Sequence, residues 1–126
     1  MDIPGNLLYT KEHEWLRLEG DIATIGITDY AQGELGDVVF VELPEVGRAV
    51  KQMAPFGTIE AVKAVSELFS PITGAVAAIN DEIERDAGII NRDPYGEGWM
   101  IKIKMADPSE TAGLLNAAQY SELLEG

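Results

Sequence analysis

Hydrophobic residues along this chain recur mostly at a spacing of two rather than at helical spacing. Trp99, Ile101, Ile103 and Met105 fall on one face of residues 99–105, and Lys102 and Lys104 on the other. That is the period of a half-buried strand. Glu14 to Glu19 alternates as well, with Trp15, Arg17 and Glu19 on one side and Leu16 and Leu18 on the other. Gly20-Asp21 makes a two-residue hairpin turn in which glycine supplies a positive φ, and Ile22 to Ile27 is the returning strand. Leu7 to Tyr9 forms a first short strand. Val38 to Leu43 is apolar at nearly every position before Glu42, the pattern of a strand covered on both faces. Val50 to Met53 leads into a further hairpin, and Gly74 to Ile79 is another apolar strand.

Helical signals are few. Thr28 reads as the N-cap of a short helix through Leu35, with Asp29 in its first turn and Gly36 at its end. Residues 80–92 are acidic and irregular, with one helical turn around Glu82 to Asp86. Asp93 to Gly98 is a turn-rich loop in which Gly96 and Gly98 are turn glycines. Asp107-Pro108-Ser109-Glu110 has the form of a helix start, with an Asp cap, Pro at the first position and Glu at the third. A second helix follows Asn116 and places Ala117, Tyr120 and Leu124 about one turn apart. Many short strands separated by turns predict a mainly β fold, a sandwich or flattened barrel, with a short internal helix and C-terminal helices. A single domain over residues 1–126 is expected, its core about 7–105 and its helical segment 107–125.

Composition narrows the chemistry. The 126 residues include 22 acidic and 9 basic side chains, for a net charge of −13. Nucleic acid and anionic membranes call for a basic footprint, so both are excluded as partners, whereas partners with basic patches suit this surface. There is no cysteine and a single histidine, His13. Disulfides, thiolate catalysis and Cys- or His-based metal sites are therefore ruled out. No export-type start or apolar run of membrane-spanning length is present, and a cytoplasmic chain is expected. Glu12 and Glu14, about 7 Å apart on one face of an extended strand, are the nearest approach to an acid/base pair. No nucleophile or phosphate loop accompanies them, which argues against autonomous catalysis.

Residues 57–74 carry the most specific signal. Apolar segments around Ile59 and Leu68 flank Lys63, and Gly57 and Pro71–Gly74 punctuate the two ends. The connection is short, so an antiparallel hairpin with Lys63 at or beside its tip is predicted. A tip lysine is ordinarily a solvated turn residue. Here Glu60 lies three positions before it, Val62 and Ala64 flank it, Ser66 follows at three, and Ser70-Pro71 at seven and eight. This frame resembles the lipoyl-attachment signature of the H proteins of the glycine cleavage system: Glu-x-Val-Lys-Ala, a Ser, then Ser-Pro-x-x-Gly. His13-Glu14-Trp15, Ala23 to Thr28, Gly36 to Pro44 and Asp93 to Trp99 resemble the same family, in register over roughly residues 7–124.

The resemblance implies the barrel-sandwich hybrid fold of lipoyl and biotinyl domains, with terminal additions. It implies lipoate bound covalently to Lys63 as N6-lipoyl-lysine, put there by a lipoate-attaching enzyme. It also implies a non-catalytic shuttle, and a monomer is expected. The shuttle carries the aminomethyl group of glycine from the P protein, a decarboxylase, to the T protein, an aminomethyltransferase. The L protein, a dihydrolipoyl dehydrogenase, then reoxidises it. A lipoylated lysine spans roughly eleven or twelve bonds from Cα to ring, a reach of about 14 Å. In this family the loaded arm folds into a surface cleft, where a carboxylate matching Glu14 contacts the aminomethyl ammonium; Glu67 is a further arm contact. Glu12 stands where relatives often have a small hydroxyl residue, and Glu67 where Asp is common. His13 reads as a packing or surface residue. The rival readings are a biotin-type carrier, whose lysine is usually flanked by methionines, and a lipoyl domain of a 2-oxoacid dehydrogenase, with Asp before the lysine. Two more are a lipoate-relay protein and an unmodified interaction module.

Overall fold

The structure, a computed structural model, describes residues 2–125. In chain order its elements are β1 (Leu8–Tyr9), β2 (Glu14–Glu19), β3 (Ile22–Ile27), α1 (Asp29–Leu35), β4 (Val38–Glu42), β5 (Ala49–Val50), β6 (Pro55–Ala61), β7 (Val65–Phe69) and β8 (Gly74–Ile79). There follow α2 (Asp81–Arg85), α3 (Ile89–Arg92), β9 (Ile101–Met105), a 3-10 segment (Pro108–Gly113) and α4 (Ala117–Glu125). Two sheets form, one six-stranded in the order β1-β2-β3-β9-β8-β5 and one three-stranded in the order β4-β6-β7. The fold is mainly β, with two open sheets rather than a closed barrel. No helix among the described residues is long and apolar enough to cross a membrane.

The period-2 pattern explains the hairpins. β2 and β3 pair from Glu14↔Ile27 to Glu19↔Ile22 around the two-residue turn, where Gly20 has φ +63°. Leu16, Ile25, Ile101 and Ile103 then fall on the inner face with Phe56, Ile59, Leu68 and Ile72 from the rest of the chain. Trp15 points the other way yet is also fully buried, in a second cluster with Leu7, Tyr9 and Tyr120. Both sides of β2 are thus covered at its start, because the C-terminal helix packs over the face that alternation alone assigns to solvent.

Trp15 is seated tightly. Its Nε1 donates to Pro94 O at 2.9 Å, and the Arg17 guanidinium lies 5.0 Å from its ring. Gly26 stands opposite it across the ladder, and a Cβ there would fall 2.7 Å from the indole. Gly26→Ala is expected to destabilise the fold by about 1–3 kcal/mol, the usual cost of overpacking a buried aromatic. A lower denaturant midpoint with an unchanged slope is the corresponding measurement.

Four details differ from the sequence pattern. β4 is not covered on both faces: a register shift between Val38 and Phe40 breaks the alternation and leaves Val39 and Phe40 about half exposed. Residues 80–92 hold two short helices instead of one turn, because Ile83 and Ile90 are fully buried and pull the acidic segment onto the core. β9 begins at Ile101, not Trp99; Met100 is buried, while Trp99 is half-buried and carries Lys102 Nζ over its ring. The helix predicted after Asp107 is a 3-10 segment. Its Glu110 reaches across to Thr73, accepting from the backbone N–H at 2.7 Å and the hydroxyl at 2.8 Å, rather than back to its own cap.

Candidate functional site

Lys63 lies in the turn between β6 and β7. Ala61 N–H donates to Ala64 O at 2.8 Å across the turn, and Val62 N–H donates to Asp37 O at 3.0 Å, tying the tip to the start of β4. That start is itself held by Asn91 of α3. The Asn91 side chain accepts from Val38 N–H at 2.9 Å and donates to Gly36 O at 2.9 Å and Gln32 Oε1 at 3.0 Å. The exposed Lys63 side chain rests on Gly36, whose φ of +78° is readily available to glycine. A Cβ at Gly36 would stand 2.9 Å from Lys63 Cε, so the glycine leaves room for the lysine stem. A flexible side chain is therefore mounted on a rigid base. Val62 and Val65 flank it at 73% and 67% exposure.

A cleft of about 300 Å³ opens beside this hairpin. One wall is the turn entering β2, with Glu12, His13 and Glu14; the second is α1, with Tyr30, Ala31, Glu34 and Leu35; the third is the hairpin itself, with Ser66 and Glu67. Ile27, Ile59 and Leu68 supply an apolar floor. Ser66 is three residues from Lys63, at most about 10 Å of chain. An acylated lysine arm has the length to enter, and the lining suits it: apolar side chains for the chain and ring, carboxylates for a cationic load.

Glu14 is only 2% exposed. Thr10 Oγ1 donates to its Oε1 at 2.7 Å, and Phe69 N–H approaches its Oε2 at 3.4 Å. Burial outweighs these bonds and raises the pKa from the usual 4.5 to about 8. Glu14 is thus no solvated strand carboxylate. At neutral pH it is mostly protonated, and a cation entering the cleft favours its ionised form. Glu67 lines the same cleft from β7 but is exposed. Glu12 and Glu14 do not form the pair that an extended strand would give. His13 between them has φ +69° and turns the chain, leaving Glu12 exposed and Glu14 buried.

Because folding raises the Glu14 pKa, the folded state keeps a proton there that the unfolded chain releases. The associated stability is fully present below about 4.5 and is lost as pH rises through about 8. His13 acts in the opposite sense, since burial lowers its pKa. Comparing wild type with Glu14→Gln isolates the carboxyl. The stability of the variant relative to wild type is expected to rise between pH 4.5 and 8 in urea titrations.

Several residues of this site were not singled out by the sequence. Thr10, Tyr30 and Asn91 carry no motif of their own. His13, read as packing or surface, lines the cleft.

A small β protein that mounts one lysine on a braced hairpin tip beside a partly closed cleft has the form of a swinging-arm carrier of the lipoyl and biotinyl kind. The sequence family described as "Glycine cleavage H-protein" matches residues 7–126. The chain is 55% identical over 124 residues to a glycine cleavage system H protein of Rubrobacter xylanophilus, spanning 98% of this chain and 96% of that protein. It is 52% identical to one of Bacteroides thetaiotaomicron over the full length of both. A solved glycine cleavage system H protein from Mycobacterium marinum superposes with a TM-score of 0.91 at 36% identity, covering 98% of this chain and all of that one. This chain belongs to the glycine cleavage H-protein family.

Proposed function

We propose that the chain is the lipoyl-bearing shuttle of the glycine cleavage system, with lipoate joined to Lys63. It takes the aminomethyl group from the P protein, yields it at the T protein and is reoxidised by the L protein. It works as a cytoplasmic monomer and catalyses no step itself. When bound, the lipoyl group supplies a disulfide that takes up the aminomethyl group and, later, a dithiol to be reoxidised.

The chain's own residues act at three points. Lys63 Nζ provides the amide linkage, at a tip fixed by Asp37, Asn91 and Gly36. Val39, Phe40, Val62 and Val65 leave an apolar surface on the strands and turn around that tip, so partners have a place to dock. Between enzymes, the cleft shelters the load: Ile27, Ile59 and Leu68 exclude water from one side, while Glu14 balances its positive charge, with Glu67 at the rim.

The observation that carries this reading is the pairing of a rigidly braced tip lysine with a cleft lined by Ser66 and Glu67 of the same hairpin, the nearer within about 10 Å of chain. Intact mass after expression in a lipoylating host tests it. One added lipoyl group mapping to Lys63 is expected. A biotinyl mass, or no added mass, excludes the assignment.

A further inference from the structure

The cleft is built from stretches distant in sequence, and one buried group ties two of them together without lining the cleft. Tyr120 of α4 is fully buried. Its ring stacks on Tyr9 at 4.7 Å and 7° and meets His13 edge-on at 5.8 Å. Its hydroxyl lies 2.8 Å from His13 Nδ1 and 2.8 Å from Thr28 Oγ1. Thr28 is the N-cap of α1 and accepts from Ala31 N–H at 3.2 Å. His13 is held at positive φ with its ring 4.8 Å from Tyr30 on the facing wall. The hydroxyl therefore sits where the β2 entry turn meets the helix on the other side of the cleft. The C-terminal segment that delivers it is anchored by paired bonds of 2.8 Å between Tyr9 and Leu115.

The chemistry at this junction favours one fixed arrangement. Burial pushes the Tyr120 pKa up to about 12 and lowers that of His13, so at neutral pH a phenol meets a neutral imidazole. A hydroxyl both donates and accepts, so Tyr120 bonds Nδ1 in either tautomer, and what it fixes is the direction in which the His13 ring points. Replacing the hydroxyl by hydrogen keeps the stacked ring but leaves His13 Nδ1 and Thr28 Oγ1 without that partner.

We propose that Tyr120 is a positioning residue for the cleft: its hydroxyl fixes the orientation of the His13 ring, and with it the ring's contact with Tyr30 on the facing wall, while the backbone bond from Thr28 N–H to His13 O at 3.0 Å holds the β2 entry turn to the start of α1. The shelter of the cationic load then depends on the C-terminal helix. This rests on reading the cleft as that shelter, and the test separates the two.

The test is Tyr120→Phe, made beside Glu14→Gln. In the unlipoylated chain, proton NMR is expected to show close contacts between the His13 and Tyr30 rings in wild type that weaken in Tyr120→Phe. In the aminomethyl-loaded protein, freed of the P protein, the load is expected to decay roughly three- to tenfold faster in Tyr120→Phe, with lipoyl attachment unchanged. Unchanged contacts between the His13 and Tyr30 rings, or unchanged decay while Glu14→Gln speeds it, overturns the role of Tyr120 and leaves the shelter standing. Unchanged decay in both variants overturns the shelter as well. Should Tyr120→Phe not fold, His13→Asn keeps a residue that tolerates positive φ and removes the imidazole; it is expected to speed decay similarly, and unchanged decay overturns the proposal. Where both fold, the double variant is expected to match the singles, and decay at the product of the two single effects overturns the coupling.

Discussion

Lys63→Arg is expected to fold as wild type, to gain no lipoyl mass and to support no glycine cleavage. Arginine keeps the positive charge at the tip, but its guanidinium does not give up a proton in a protein, whereas a lysine amine can and then acts as a nucleophile. The proposed attachment is an amide on that amine, so the variant is expected to block modification without altering the tip's charge. Lys63 is exposed, and the tip is held by backbone bonds from Ala61 and Val62 that the substitution leaves in place. A surface change of this kind ordinarily shifts stability by no more than about 0.5 kcal/mol. Intact mass, thermal unfolding and reconstituted glycine cleavage are the three measurements. Residual cleavage well above a control lacking the chain, or lipoyl mass at another lysine, would remove Lys63 from its role.

The hairpin and its lysine were legible in the sequence because they obey local rules. Gly57 and Pro71 delimit the strands, alternation sets their faces, and the motif residues sit at fixed offsets from Lys63. The β2–β3 hairpin and the Thr28 cap were legible for the same reason. What was not legible depends on contacts between distant segments. Val38 to Leu43 is apolar throughout, and its exposure at Val39 and Phe40 follows from a bulge against β6 that composition does not announce. Ile83 and Ile90 were hidden in an acidic stretch, although their spacing of seven placed them on one side of a helical path. The ionisation of Glu14 depends on how deeply the β2 entry turn is buried, which follows from the positive φ of His13 and the cover given by β7. Tyr120 read only as one of three residues about a turn apart on a helix, and its hydroxyl gains meaning only when 92 residues of separation from Thr28 close to 2.8 Å.

Glu14 should matter only once the shuttle is loaded. With an empty cleft its carboxyl is mostly neutral at pH 7, bonded to Thr10, and no cation is present to balance it. Glu14→Gln closely copies that neutral form in size and hydrogen bonding, so lipoyl attachment and the oxidised protein should be nearly unchanged. An aminomethyl ammonium in the cleft favours the ionised form, and the carboxylate then accepts a charge-assisted bond in a sheltered site. Such a bond contributes about 1.5–3 kcal/mol, roughly ten- to a hundredfold in retention of the load. Glutamine cannot supply it. Above about pH 8, where the carboxyl is already ionised, the loaded variant should therefore lose its cargo to water about that much faster, and by less at pH 7, giving formaldehyde and ammonia without tetrahydrofolate. The pH profile carries a second signature. The proton must leave Glu14 before the bond forms, and with a pKa of about 8 that step becomes easier by up to about tenfold per unit as pH rises from 6. Wild-type protection should improve over that range and level off above it, while the ratio of glutamine to wild-type decay rates widens in parallel. The measurement is to load both proteins, remove the P protein and follow decay from pH 6 to 9. Equal rates at every pH would mean that Glu14 is a buried structural acid and that other groups shelter the cargo.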